Sequence, residues 1–189
     1  MATYTSQYPP SHDSDRVKAT TFYPDYFLPH FATDPSKTLV GSSLYNAWVT
    51  PGSAYLTNQR FHIDLGSAKI IRRIYYENYH NSGVEYDRGA KNFTFWGSNN
   101  AAAFAELTYT VDTNWTQLTI ASSIFALHVA SDTIDPRYIA VNNIVAFRYY
   151  AIKIADNYLG SFLGIRRIEL QTEDGYTPGG GFFPRIMIF

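Results

Sequence analysis

The residues best suited to chemistry in this sequence lie in polar stretches between apolar ones. From Glu77 to Gly89 the chain runs Glu-Asn-Tyr-His-Asn-Ser-Gly-Val-Glu-Tyr-Asp-Arg-Gly, with no apolar period. Tyr79, His80, Asn81 and Arg88 in this stretch supply aromatic faces and planar amide and guanidinium groups. Tyr158 and Phe162 add two rings from a second stretch, Ala155 to Gly164, and Tyr55 adds another from Pro51-Gly-Ser-Ala-Tyr. Flat rings cover the C–H faces of a sugar and planar polar groups pair with its hydroxyls, so these residues are the candidate ligand-binding set. Signatures of covalent or hydrolytic chemistry are missing: the sequence has no Gly-x-Ser-x-Gly, no His-Glu-x-x-His and no phosphate-cradling Gly loop. The five His, at 12, 30, 62, 80 and 128, show no metal-ligand spacing, and nothing pairs Asp64 with Glu169 as acid and base. The chain is therefore expected not to be an enzyme.

Strands must hold these stretches in place. From Gln59 to Gly66, Phe61, Ile63 and Leu65 fall on one face and Arg60, His62 and Asp64 on the other, the period of two of a half-buried strand. Ile70 to Tyr76 is β-branched and aromatic, which fits a pleated surface. Phe93 and Phe95 alternate through the next strand, which ends Gly-Ser-Asn-Asn. Further strands are read at Arg16 to Phe22, Trp115 to Ile120, Phe147 to Ile154 and Ile165 to Gln171. Pro24 and Pro29 break the aromatic run from Tyr23 to Phe31 into a packed loop, and Ala101 to Leu107 reads as one helical turn. Ala121 to Asn143 is the least regular segment. Many short strands with no long helix point to an all-β fold, an antiparallel β-sandwich.

A chain of 189 residues is expected to form one such sandwich, spanning 16–173 between an N-terminal arm, 1–15, and a C-terminal segment, 174–189. The net charge of −1 gives no electrostatic case for nucleic acid, and no run is apolar for long enough to span a bilayer. With no Cys, disulfides and thiolate metal sites are excluded. The first ten residues have neither the basic region nor the apolar run of a signal peptide, so a place outside the cell or on a virion surface is expected to be reached without one. Asp174 to Gly181 reads as a Gly-rich hinge leading to the apolar Phe182-Phe-Pro-Arg-Ile-Met-Ile-Phe189. Such a tail needs a home, either on its own sandwich or in a neighbouring subunit, which would give a homo-oligomer or larger assembly.

The order of these parts carries a resemblance. A strand ending Asp64-Leu-Gly66, a short polar gap, an Ile-rich strand, a polar loop and a strand ending Gly97-Ser-Asn-Asn100 together resemble the discoidin family, also called the coagulation factor 5/8 C-type or galactose-binding-like domain. Ala32, Asp34, Thr38 and Trp48 are similar to its Ala-x-Asp turn, the Thr or Ser that follows, and the Trp that plugs one end of the barrel. Phe104, Trp115 and Ile168-Glu-Leu170 extend the likeness over Val17 to Thr172. The resemblance implies a jelly-roll-like sandwich that binds glycans through loops at one end. It also implies a Ca²⁺ ion held by Asp34, Thr38 and Glu169 together with main-chain carbonyls, since hard oxygen ligands in a loop suit that ion. Where sugar-binding members carry an Arg after the second strand, this chain has Glu77-Asn78. The function expected from all this is a non-catalytic carbohydrate-binding or adhesion module within a larger assembly, such as a phage tail or capsid decoration. The alternatives are a structural subunit that binds no sugar and a polysaccharide-active enzyme.

Overall fold

The computed structural model describes residues 2–178. Its strands are β1 (Tyr4–Gln7), β2 (Val17–Ala19), β3 (Trp48–Val49), β4 (Gln59–Lys69), β5 (Arg73–Asn78), β6 (Phe93–Ser98), β7 (Thr116–Ile120), β8 (Arg137–Asn142), β9 (Phe147–Ile154) and β10 (Gly164–Glu173). The one α-helix among the described residues, α1 (Ala101–Ala105), is a single turn whose first amides are capped by the Asn100 side chain. No helix among these residues is long and apolar enough to cross a membrane.

The strands form one curled antiparallel sheet in the order β1-β10-β5-β8-β7-β6-β9-β4-β2, with β3 added to β10. It folds into two layers, β1-β10-β5-β8 and β7-β6-β9-β4-β2. Among the described residues, the strands of the two layers pair where Thr119 and Ile120 of β7 meet Asn142 and Val141 of β8. The core between the layers is built from the alternating residues of the sequence: Phe61, Ile63 and Leu65 of β4, Phe93 and Phe95 of β6, Tyr150, Ile152 and Ile154 of β9. Trp48 is fully buried against Phe61, and its indole N–H donates to the Thr21 carbonyl at 2.9 Å.

Four features depart from simple alternation. First, Tyr4–Gln7, inside the stretch read as an arm, is an edge strand on β10, tied by Ser6 Oγ donating to Glu169 at 2.6 Å. Second, the outward face of β4 is not solvated: Arg60, His62 and Asp64 are buried. The chain from Asn99 to Trp115 folds over that face, where Phe104, Trp115 and Tyr149 form a second small core. Third, β5 runs on into Glu77 and Asn78, so the polar loop starts later than its composition indicates. Fourth, β10 bulges between Ile165 and Arg167. Ile165 and Ile168 are three apart, which strict alternation would put on opposite faces, yet both reach the core, and the extra residue is what allows it. The apolar tail Phe182–Phe189, and the hinge from residue 179 onward, lie outside the described residues.

Candidate functional site

The strand directions send four connections to one end of the sandwich: residues 20–58, 79–92, 121–136 and 155–163. Two of them are laced together. The Tyr158 amide donates to the Gly89 carbonyl at 3.3 Å, Gly160 to Asp87 at 3.0 Å, and Ala90 to Gly164 at 3.1 Å. Gly160 is required here, because a Cβ on it would lie 2.7–2.8 Å from the Arg88 N, Cα and Cγ atoms. Gly160→Ala is therefore expected to force the loops apart and cost about 1–3 kcal/mol of overpacking, measured by urea denaturation.

This lacing sets the Arg88 guanidinium 4.8 Å from the centre of the Phe162 ring. The two residues form part of a small pocket of about 90 Å³ whose other walls are Tyr23, Phe27, Val49 and Tyr79. Glu85 orients the guanidinium, accepting from Arg88 Nη1 at 2.6 Å and from Asn81 Nδ2 at 3.2 Å. Tyr79 is buried, its hydroxyl shares a 2.8 Å hydrogen bond with Ser43 Oγ, and burial pushes its pKa up, so this side of the wall is neutral at ordinary pH. At the rim Tyr23 is 40% exposed. Tyr26 and Tyr45, also exposed, continue the strip, with ring centroids 6.1 Å (Tyr23–Tyr26) and 5.6 Å (Tyr26–Tyr45) apart. A guanidinium beside a row of partly exposed rings can hold a flat, hydroxyl-rich molecule by stacking and paired hydrogen bonds.

No protein-family model matches the sequence, and no curated protein matches it significantly. Solved structures do. A family 32 carbohydrate-binding module from Clostridium perfringens, in complex with GalNAc-β-1,3-galactose, superimposes with a TM-score of 0.54 at 15% identity over 82% of this chain and 93% of its own. A second C. perfringens family 32 module, from NanJ and in complex with galactose, gives 0.57 at 14% identity over 90% and 100%. A chain of the Streptococcus pneumoniae β-galactosidase BgaA gives 0.64 at 10% identity over 90% and 98%. The fold is the galactose-binding-like β-sandwich. At these identities the likeness establishes the fold alone.

Within this galactose-binding-like fold, three of the residues singled out from the sequence, Tyr79, Arg88 and Phe162, meet in one pocket. The others do not line it. His80 is fully buried; its Nδ1 accepts from the Gly83 amide at 3.0 Å, which fixes the proton on Nε2, donated to the Leu39 carbonyl at 2.9 Å. Its ring stacks on that of His128 with centroids 4.1 Å apart, a pairing that 47 intervening residues hid from the sequence. The Asn81 amide is held between the Ser43 N–H and Glu85. The Tyr158 hydroxyl donates to the Phe125 carbonyl at 2.7 Å, and its ring sits under Lys91. Tyr55 is exposed on the short 3₁₀ turn Ser53–Tyr55 and lines no part of the pocket. Sequence reading missed Tyr23, Phe27 and Glu85. The signal for the first two was the aromatic run Tyr23 to Phe31, whose packing role is real but leaves one face of Tyr23 in solvent.

The three residues of the implied calcium site each have protein hydrogen-bond partners. Asp34 Oδ1 accepts from the Ser36 amide and hydroxyl at 2.9 and 2.7 Å, an Asx turn closed on itself. The Thr38 hydroxyl donates to the Val40 carbonyl at 3.2 Å, and both oxygens of Glu169 have protein donors. Among the described residues, no group of three or more His, Asp or Glu side chains gathers as metal ligands.

Proposed function

We propose that this chain is a non-catalytic carbohydrate-binding module that holds a glycan at the pocket between Arg88 and Phe162. The observation that carries the reading is the guanidinium set beside the Phe162 ring at the mouth of an aromatic-walled pocket. Tyr23 and Phe162 would cover the C–H face of a sugar ring, and the Arg88 N–H groups not used by Glu85 would reach neighbouring hydroxyls. The galactose and GalNAc-β-1,3-galactose carried by the two Clostridium modules support sugars as the ligand class. A glycan array followed by calorimetric titration tests this. Arg88→Gln and Tyr23→Ala are each expected to weaken binding at least tenfold, about 1.4 kcal/mol, with little change in melting temperature. Failure of every glycan to bind, or variants that bind as well as the parent, would overturn the reading.

We also propose that the module works outside the cell, within a larger assembly such as a virion, built by contact between copies of the chain. Two features support this. The free edge of the sheet at β2 borders an apolar groove of about 390 Å³ lined by Val17, Ala19, Phe22, Leu28, Pro29 and Leu107, and the sequence ends in the apolar run Phe182–Phe189. A second copy is the expected occupant of the groove. Sedimentation of the chain with and without residues 176–189 tests the role of the tail: an unchanged oligomeric state after truncation removes it. A purely structural subunit would keep its assembly and bind no glycan, which the array decides.

A further inference from the structure

The 34–38 turn is joined to β10 and β1 by side chains of the protein itself. Arg167 is buried, with its side chain 4% exposed. Its Nη2 donates to the Lys37 carbonyl at 2.7 Å, and its Nη1 donates to Glu169 Oε1 at 3.2 Å. The other Glu169 oxygen accepts from Ser6 Oγ on β1. One guanidinium and one carboxylate thus connect the turn after the Pro29–Thr33 helix, the middle of β10 and the edge strand. We propose that Arg167 is a built-in structural cation that makes this junction independent of calcium.

Three physical arguments support the assignment. Calcium needs six to eight oxygens at 2.3–2.6 Å, whereas the junction offers one carboxylate oxygen and one carbonyl to its cation, both already engaged. A divalent ion placed there would lie against a buried positive charge. The geometry also asks for a fork. Glu169 and the Lys37 carbonyl lie on different segments, and the planar guanidinium reaches both at once with fixed N–H directions, which a point-like ammonium on a flexible stem does less well. The sequence shows how Arg167 comes to be there: the bulge between Ile165 and Arg167 sends two consecutive arginines away from the core. Arg166 reaches the carbonyls of Gly41 and His80, and Arg167 reaches Lys37 and Glu169.

The test compares thermal unfolding of the full chain in 5 mM CaCl₂ and in 5 mM EDTA, with limited trypsin digestion at Lys37 as a local probe of the turn. The parent is expected to melt within about 1 °C in the two conditions, whereas Arg167→Gln melts about 5 °C or more lower in both. Cleavage after Lys37 is expected to be at least tenfold faster in Arg167→Gln. Arg167→Lys, which keeps the charge and loses the fork, should fall between them, and it keeps the comparison alive should the glutamine variant fail to fold. A parent that gains stability from calcium, or binds one equivalent in a calorimetric titration, overturns the proposal. So does an Arg167→Lys variant with parental melting and digestion.

Discussion

Replacing Asp112 by alanine is expected to destabilise the protein by about 2–4 kcal/mol. Arg60 of β4 and Lys153 of β9 stand directly opposite each other across the strands. Like charges in that position repel, and both are buried, Arg60 completely. Asp112 lies between them: Oδ1 accepts from Arg60 Nη2 at 2.7 Å, and both of its oxygens accept from Lys153 Nζ, at 2.7 and 2.8 Å. The carbonyls of Thr108 and Val111 both accept from Arg60 Nη1, while the buried Nε has no partner among the described residues. Burial pulls the Arg60 pKa down, chiefly through lost hydration, and the Asp112 carboxylate opposes that. Removing one partner of a buried ion pair costs roughly 3–5 kcal/mol, because the survivor stays charged and unpaired. Here the carboxylate side chain is 35% exposed, and solvent screening lowers the figure to the range given. Urea denaturation measures it. Lys153→Met in the Asp112→Ala background should recover part of the loss, since it removes one of the two stranded cations. An Asp112→Ala variant within 0.5 kcal/mol of the parent, on the order of an ordinary surface change, would mean that the covered face of β4 does not depend on this carboxylate.

Acid is expected to weaken the fold as the pH falls below 6.5. Burial lowers the His62 pKa from 6.5 to about 4. Its Nδ1 faces the Phe104 carbonyl at 2.9 Å, its Nε2 has no protein partner, and the rings of Phe104 and Trp115 flank it. The folded state therefore keeps the ring neutral while the unfolded chain takes up a proton near pH 6.5. The unfolded state binds more protons through that window, so stability is full above pH 6.5 and falls as the pH drops toward 4, where the loss levels off. A shift of this size corresponds to about 3 kcal/mol. Burial also lowers the pKa of His80 and of His30, which adds to the loss. Glu77 works in the opposite direction: burial raises its pKa, so protonating it in mild acid relieves some strain on the folded state. Below pH 4 the lowered Asp34 and Asp64 carboxylates add their own loss as they protonate. Urea midpoints at pH 7, 6, 5 and 4 would trace the decline. His62→Gln, which keeps a donor for the Phe104 carbonyl and cannot titrate, should flatten it. A parent equally stable at pH 7 and 4.5 would contradict this account of His62.

How far the sequence revealed the fold depended on the distance over which each cause acts. Alternation in β4, β6 and β9 is a property of consecutive residues, so Phe61, Ile63, Phe93, Phe95 and Ile152 could be placed in the core from their spacing. The burial of Arg60 and His62 could not be, because their cover arrives some forty to fifty residues later, as Phe104, Asp112 and Trp115. The Ile165-Arg-Arg-Ile168 run did carry a local sign of the bulge, since its apolar residues break the period of two. In the site, Arg88 and Phe162 were legible as neighbours because β5 and β10 pair and deliver their loops to one end. Tyr23 and Phe27 were not. They reach the pocket through a long connection that doubles back, with the Tyr23 amide donating to the Val49 carbonyl at 2.8 Å.

The position of β10 also governs the order of events as the chain is made. It is flanked by β5 on one side and by β1, with β3, on the other, and it pairs Tyr4 with Glu173 and Ile165 with Asn78. Half the sandwich is therefore missing its central strand until residues 164–173 have left the ribosome. Until then the outward edge of β5 and the whole of β1 have no partner, and Trp48 lacks the Ile165 backbone it pairs with. A nascent chain in that condition exposes unpaired strand edges for as long as synthesis of the remainder takes, on the order of several seconds at ordinary rates of 5–20 residues per second. Closure then waits on contacts more than 160 residues apart. Among the described residues β10 is the keystone of its layer, and the layer can close only once that strand is available.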